Sequence, residues 1–115
     1  MIIRQAALHS IDFDGMKIYD YTAEKTCSSS LAFIDVPPGI HHRLAKSSRS
    51  DKYYYVVAGK LFFSLDGIEY ELGAGDFCLV LHGHVFSYAN HGNEHTQFIL
   101  VHTPRFELET EEFLD

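Results

Sequence analysis

The sequence predicts an all-β barrel built from one short chain. Short apolar segments recur at even intervals between residues 31 and 103, each bounded by Gly, Pro, Asn or Asp turn signals. Two of these segments are joined by Asp66-Gly67, a two-residue hairpin signal, because both positions of such a turn need positive φ. No stretch carries a long helical period. At 115 residues the chain fits a single domain able to sustain one core.

The elements follow in order. LAFIDV (31–36) reads as a strand that ends at Pro37-Pro38-Gly39, and IHHRLA (40–45) resumes after it. YYYVVA (53–58) stops at Gly59, and KLFFSL (60–65) runs into the Asp66-Gly67 turn. IEYEL (68–72) alternates Ile68, Tyr70 and Leu72 with Glu69 and Glu71, as a half-buried strand does. FCLVL (77–81), VFSYA (85–89) and TQFILVHT (96–103) complete the series, separated by glycine- and asparagine-rich turns. Residues 11–27 are expected to be strand and turn.

The net charge is −7, but residues 107–115 (ELETEEFLD) hold five of the sixteen acids and no base. We therefore divide the chain into a barrel domain, 1–106, and an acidic tail, 107–115, expected to be a solvated end or a short surface helix. The body lacks the basic face that nucleic acid requires. No apolar run is long enough to span a bilayer and no signal-peptide pattern opens the chain, so no membrane partner is expected and cytoplasmic residence is the default. Cys27 and Cys78 stand far apart without metal-ligand spacing; Cys78, inside FCLVL, reads as a buried inert thiol.

Residues 38–59 and 75–90 resemble the two motifs of the cupin superfamily, G-x5-HxH-x(3–6)-E-x6-G and G-x5-P-x-G-x2-H-x3-N. Gly39, His42, the run Tyr53-Tyr54-Tyr55-Val56-Val57 and Gly59 match the first; Gly75-Asp76, Gly83 and Asn90 match the second. The likeness covers about residues 31–104. It is similar above all to the small, single-domain "cupin 2" proteins described as mannose-6-phosphate isomerase-like, which share the HRL and YYV stretches and a late Thr103-Pro104-x-Phe106. The resemblance implies a double-stranded β-helix, the cupin jelly-roll barrel, and a homodimer in which Ile2, Ile3 or the 96–103 strand covers exposed sheet edges.

The resemblance also implies a metal held by two histidines, a glutamate and a third histidine inside the barrel, and here the sequence departs from it. His41 and His42 are adjacent, so a regular strand turns them to opposite faces. His42 is the inward candidate, with Leu44 at the second position. Lys52 stands at the glutamate position, Phe86 at the last histidine position and Leu81 at the motif's proline. A divalent ion needs three or four deprotonated donors, and a lysine brings a cation instead. No cofactor is favoured. A divalent transition metal stays open as the alternative, through a bulge that turns both His41 and His42 inward with help from His84. His82 and His84 otherwise read as rim residues, His9, His91 and His95 as solvent-side ones, and His102 as a hydrogen-bonded strand histidine.

With 52 and 86 placed inward by the family alignment, two-residue alternation adds Tyr54 and Tyr88. His42, Lys52, Tyr54, Phe86 and Tyr88 then form an aromatic cup with one cation and one imidazole. Such a cup suits a small planar, sugar-like or anionic molecule, and rings that merely fill a small barrel are the competing reading. Arg43, Lys46, Arg49 and Lys52 concentrate positive charge around a serine-rich loop, KSSRSDK, either as an anion-attracting mouth or as a solvated surface. Three functions remain open: a metal-free ligand-binding module, a metal-dependent dioxygenase or sugar isomerase with an atypical ligand set, and a metal-free isomerase or epimerase using His42 as base with Tyr54 or Lys52 as acid.

Overall fold

The computed structural model describes residues 1–115. Eleven strands follow one another: β1 (Ile11–Phe13), β2 (Met16–Asp20), β3 (Ser30–Val36), β4 (His41–Ser47), β5 (Asp51–Ala58), β6 (Lys60–Leu65), β7 (Ile68–Gly73), β8 (Phe77–Val80), β9 (Phe86–Ala89), β10 (Thr96–Thr103) and β11 (Glu111–Phe113). The Asp66-Gly67 turn has φ of 50° and 83°, as its sequence requires, and joins β6 to β7. Pairing then nests outward from this hairpin: β5 with β8, β4 with β9, and β3 with β10. All these ladders are antiparallel.

Nested pairing wraps the long hairpin into two facing sheets. One runs β1-β2-β3-β10-β5-β8 and the other β11-β4-β9-β6-β7. Alternate residues from both sheets meet in the core, where Val36, Val56, Leu61, Phe63 and Phe98 are fully buried. This is the jelly-roll barrel that the strand pattern predicts. Gly59 ends β5 at φ +80°, and a Cβ there would lie 2.6 Å from the His95 carbonyl oxygen, so both backbone and space demand glycine.

Residues 11–20 are strand and turn, as the sequence suggests, and form a hairpin through Asp14-Gly15, at φ of 50° and 92°, that extends the six-stranded sheet. Other expectations change. The acidic tail is not a free end: after a 3-10 turn at Leu108–Thr110, β11 pairs with Ala45–Ser47 of β4, while Glu109, Glu112 and Asp115 stay exposed. KSSRSDK is no long loop, because β4 and β5 leave only residues 48–50 between them. The Ser47 hydroxyl there accepts the Arg49 and Ser50 amides. Strand β10, suggested as an edge cover, lies in the interior of its sheet. Strand β7 is an edge, so Ile68 and Tyr70 stay exposed and only Leu72 packs on the core. No helix is long and apolar enough to cross a membrane.

Candidate functional site

The barrel interior is not filled. A cavity of about 360 Å³ opens between the sheets, and fourteen of its twenty lining residues are apolar, as is usual of small-molecule pockets. His42, Lys52, Tyr54, Phe86 and Tyr88 all line it. Inward alternation along β5 buries Lys52 and Tyr54, and alternation along β9 buries Phe86 and Tyr88.

His42 reaches the cavity because β4 is irregular. It pairs with Tyr88, but the register with β9 shifts between His42 and Ala45, so Ala45 takes the next inward place. Leu44, expected at that place, borders a second hollow with His41, one that His42 and Tyr88 also touch. His41 is exposed and does not line the main cavity, so the bulge does not turn both rings into it. His84 is farther still, bonded through Nδ1 to Asp66 at 2.5 Å beside the β6–β7 turn. The fallback set His41, His42 and His84 does not converge.

The His42 ring packs against Tyr88 and Phe86 at 4.9 and 5.2 Å between ring centroids, with Phe13 and Phe113 beyond. Its Nδ1–H donates to the Arg43 carbonyl at 2.6 Å, which fixes the neutral tautomer and leaves the Nε2 lone pair without a protein partner. Burial drives its pKa down to about 4, and the nearby Lys52 and Arg43 charges act in the same direction.

The cavity's charge lies deeper. Lys52, on β5, is buried to 3% exposure, and its Nζ lies 2.5 Å from Glu111 Oε1 and 2.8 Å from His102 Nε2. His102 Nε2 accepts from the ammonium and is thereby unprotonated. Burial, reinforced by the Lys52 charge, lowers the His102 pKa to about 3. Burial also pulls Lys52 below the ordinary lysine value, while the Glu111 carboxylate counters part of that shift. Above them, the Tyr54 hydroxyl has no hydrogen-bond partner, and burial with the neighbouring Tyr88 and Glu111 raises its pKa well beyond the usual phenol value. The Tyr88 hydroxyl donates to Met16 Sδ at 3.5 Å.

Glu111 escaped the sequence reading, whereas His102 is the hydrogen-bonded strand histidine it expects. The missed signal was complementarity: the basic run 43–52 and the acidic tail are each other's counter-ions. Lys46 pairs with Glu112, Arg49 with Glu107 and Lys52 with Glu111, while Arg43 pairs with Asp14 and lies 4.1 Å over the Phe113 ring. The basic cluster is thus no free anion-attracting mouth. Cys78 is half-buried, and burial raises its thiol to about 11, in keeping with an inert side chain.

The cavity does not fit the metal that the fold implies. The Lys52 ammonium bonds both His102 and Glu111 in the cavity, and no three His, Cys, Asp or Glu side chains converge on a common point.

Solved structures share the architecture. A Streptomyces nucleoside dehydratase aligns with a TM-score of 0.85 and 20% identity over 99% of this chain and 90% of its own. Further structures of that Streptomyces protein, with a histidine or a tyrosine replaced, are complexes with uridine. A protein from Thermotoga maritima described as a predicted oxalate decarboxylase gives 0.82 at 21% identity, over 90% of this chain and 99% of its own. A sugar phosphate isomerase from Silicibacter pomeroyi gives 0.78 at 16%, over 90% and 75%. No curated protein matches the chain at comparable significance. The Cupin domain profile matches residues 32–102, which is more than half of the chain and spans the nested strands β3–β10, and the chain belongs to the cupin family.

Proposed function

We propose that the barrel interior is a metal-free acid–base site for a small, neutral, ring-shaped polar molecule of nucleoside type. The observation that carries the reading is His42, a buried imidazole held as the neutral tautomer with Nε2 open to an aromatic-walled cavity. A base whose conjugate acid lies near 4 is unprotonated at neutral pH but weak. It can remove only an activated proton, such as one on carbon next to a carbonyl.

The surroundings suit that task. The Lys52 ammonium and the Tyr54 hydroxyl line the same cavity and can stabilise a developing oxyanion. In an elimination of water, His42 Nε2 takes the carbon-bound proton and that electron pair forms the new double bond. The C–O bond then breaks, and the departing hydroxide leaves as water once it takes a proton back from the imidazolium. The Streptomyces dehydratase supports this choice, since it shares the fold and its histidine and tyrosine variants were captured with uridine, and this cavity also holds a histidine and two tyrosines.

A sugar phosphate, as the isomerase-like resemblance implies, fits less well. The lone cavity lysine is already neutralised by Glu111, and Asp20 adds a further negative charge to the lining. The test is calorimetric titration with uridine, followed by mass spectrometry of nucleosides oxidised to a carbonyl next to the labile carbon–hydrogen bond. Saturable binding and loss of one water, abolished in His42→Gln with binding kept, is the expected result. Absence of uridine binding at millimolar concentration would sink the reading.

A further inference from the structure

The ion pair at the cavity floor is incomplete in a specific way. A lysine ammonium carries three donors. One points to His102 Nε2 and one to Glu111 Oε1, and the third has no protein acceptor. Beside it, Glu111 Oε2 is a fully buried carboxylate oxygen without a hydrogen-bond partner, on a side chain only 6% exposed. A buried carboxylate oxygen left unpaired carries the full desolvation cost of a charged group, and native structures keep such atoms for a reason. Both residues line the cavity.

We propose that Lys52 and Glu111 together form a donor–acceptor subsite that binds a neutral group carrying an acceptor and a donor on neighbouring atoms. The inference rests on the nucleoside-type reading and says which part of the ligand is recognised there. The two charges cancel, so the subsite selects by hydrogen-bond pattern. An anion would meet the unpaired carboxylate oxygen, and a cation would meet the ammonium. A vicinal diol fits, because each hydroxyl both donates and accepts, and carboxylates commonly take ribose hydroxyls. The carbonyl and N–H of a cyclic imide present the same pattern. The terminal torsion of a glutamate is broad, so the carboxylate can turn Oε2 toward a ligand while Oε1 stays on Lys52. His102 is a positioning residue: its Nε2 holds one ammonium hydrogen and thereby aims the third.

The experiment titrates wild-type protein with uridine, 2′-deoxyuridine and N3-methyluridine, and repeats uridine with Glu111→Gln. Gln keeps an oxygen for Lys52 but puts a donor where Oε2 accepts. We expect about a tenfold or greater loss for the variant, consistent with a hydrogen bond to a charged group. In wild type, one analogue should lose a similar factor. Loss with the deoxy sugar assigns the subsite to the diol, and loss with the methylated base assigns it to the imide. If both analogues bind within about threefold of uridine, the subsite is overturned and the nucleoside reading stands. These wild-type arms decide the matter even if Glu111→Gln does not fold. If uridine itself does not bind, both readings fall.

Discussion

Lys52 and Glu111 meet across the barrel. Lys52 stands on β5 of the six-stranded sheet and Glu111 on β11 of the five-stranded one, and their charged atoms lie 2.5 Å apart in the interior. Removing one member of such a pair leaves an uncompensated buried charge, which costs about 3–5 kcal/mol, whereas replacing both with apolar groups is often neutral. Glu111→Ala should therefore lose about that much in urea unfolding, and Lys52→Met combined with Glu111→Leu should recover most of it. A Glu111→Ala protein within about 1 kcal/mol of wild type, the range of an exposed pair, would mean that β11 does not hold this carboxylate inside.

The same pair sets the charge preference of the cavity. With Lys52 neutralised and Asp20 in the lining, a phosphate gains no free counter-ion and pays desolvation. Uridine 5′-monophosphate should bind at least about tenfold more weakly than uridine. Tighter binding of the monophosphate by calorimetry would show that Lys52 is available to anions.

The fold was legible wherever strand periodicity and turn chemistry agreed. The strands at 60–65 and 96–103 coincide with the sequence segments, and the Asp66-Gly67 turn takes the conformation its residues dictate. Asp14-Gly15 carries the same signal, but the strands it joins are too short, three and five residues, to show alternation. Of the site, Lys52 and Phe86 were placed inward by the family alignment and Tyr54 and Tyr88 by two-residue alternation, and all four are buried. The bulge after His42 was not legible, because no Gly marks it. Glu111 was invisible for a different reason: a carboxylate in an acidic run reads as solvated until a buried cation is found for it. That cation lies fifty-nine residues away.

Acid should destabilise the protein before its carboxylates titrate. In the folded state His42 and His102 resist protonation down to about 4 and about 3, whereas in the unfolded chain they take up a proton near 6.5. Between these limits the unfolded state binds more protons, so stability is complete above 6.5 and falls as pH drops toward 4, and on toward 3 for His102. The loss between 6.5 and 5 is about 2 kcal/mol per histidine. Urea midpoints at pH 7.5, 6.0 and 5.0 (chosen as about the range above most carboxylates) would register it, and His42→Gln should remove its share of the slope. A flat midpoint across that range would show that the two rings are not buried as neutral groups.

The outer face of the six-stranded sheet is apolar. Phe33, Ile99, Tyr55 and Phe77 are in register across β3, β10, β5 and β8, and Leu31, Val101, Tyr53 and Leu79 form a second row beside them. Tyr55 is 47% exposed and Phe77 56%, so these rows present a continuous uncharged surface where a solitary barrel would carry polar residues. A flat, uncharged apolar face is complementary to itself under a two-fold axis, which makes a second copy of this chain the fitting occupant. The protein should be a homodimer at micromolar concentration by light scattering. Phe77→Glu, at the rim of the patch on β8, should shift it to monomer without changing the circular dichroism spectrum, because a charge buried against its symmetry mate is left unpaired. A wild-type monomer at that concentration would sink the prediction. A Phe77→Glu protein that stays dimeric would move the interface to another face.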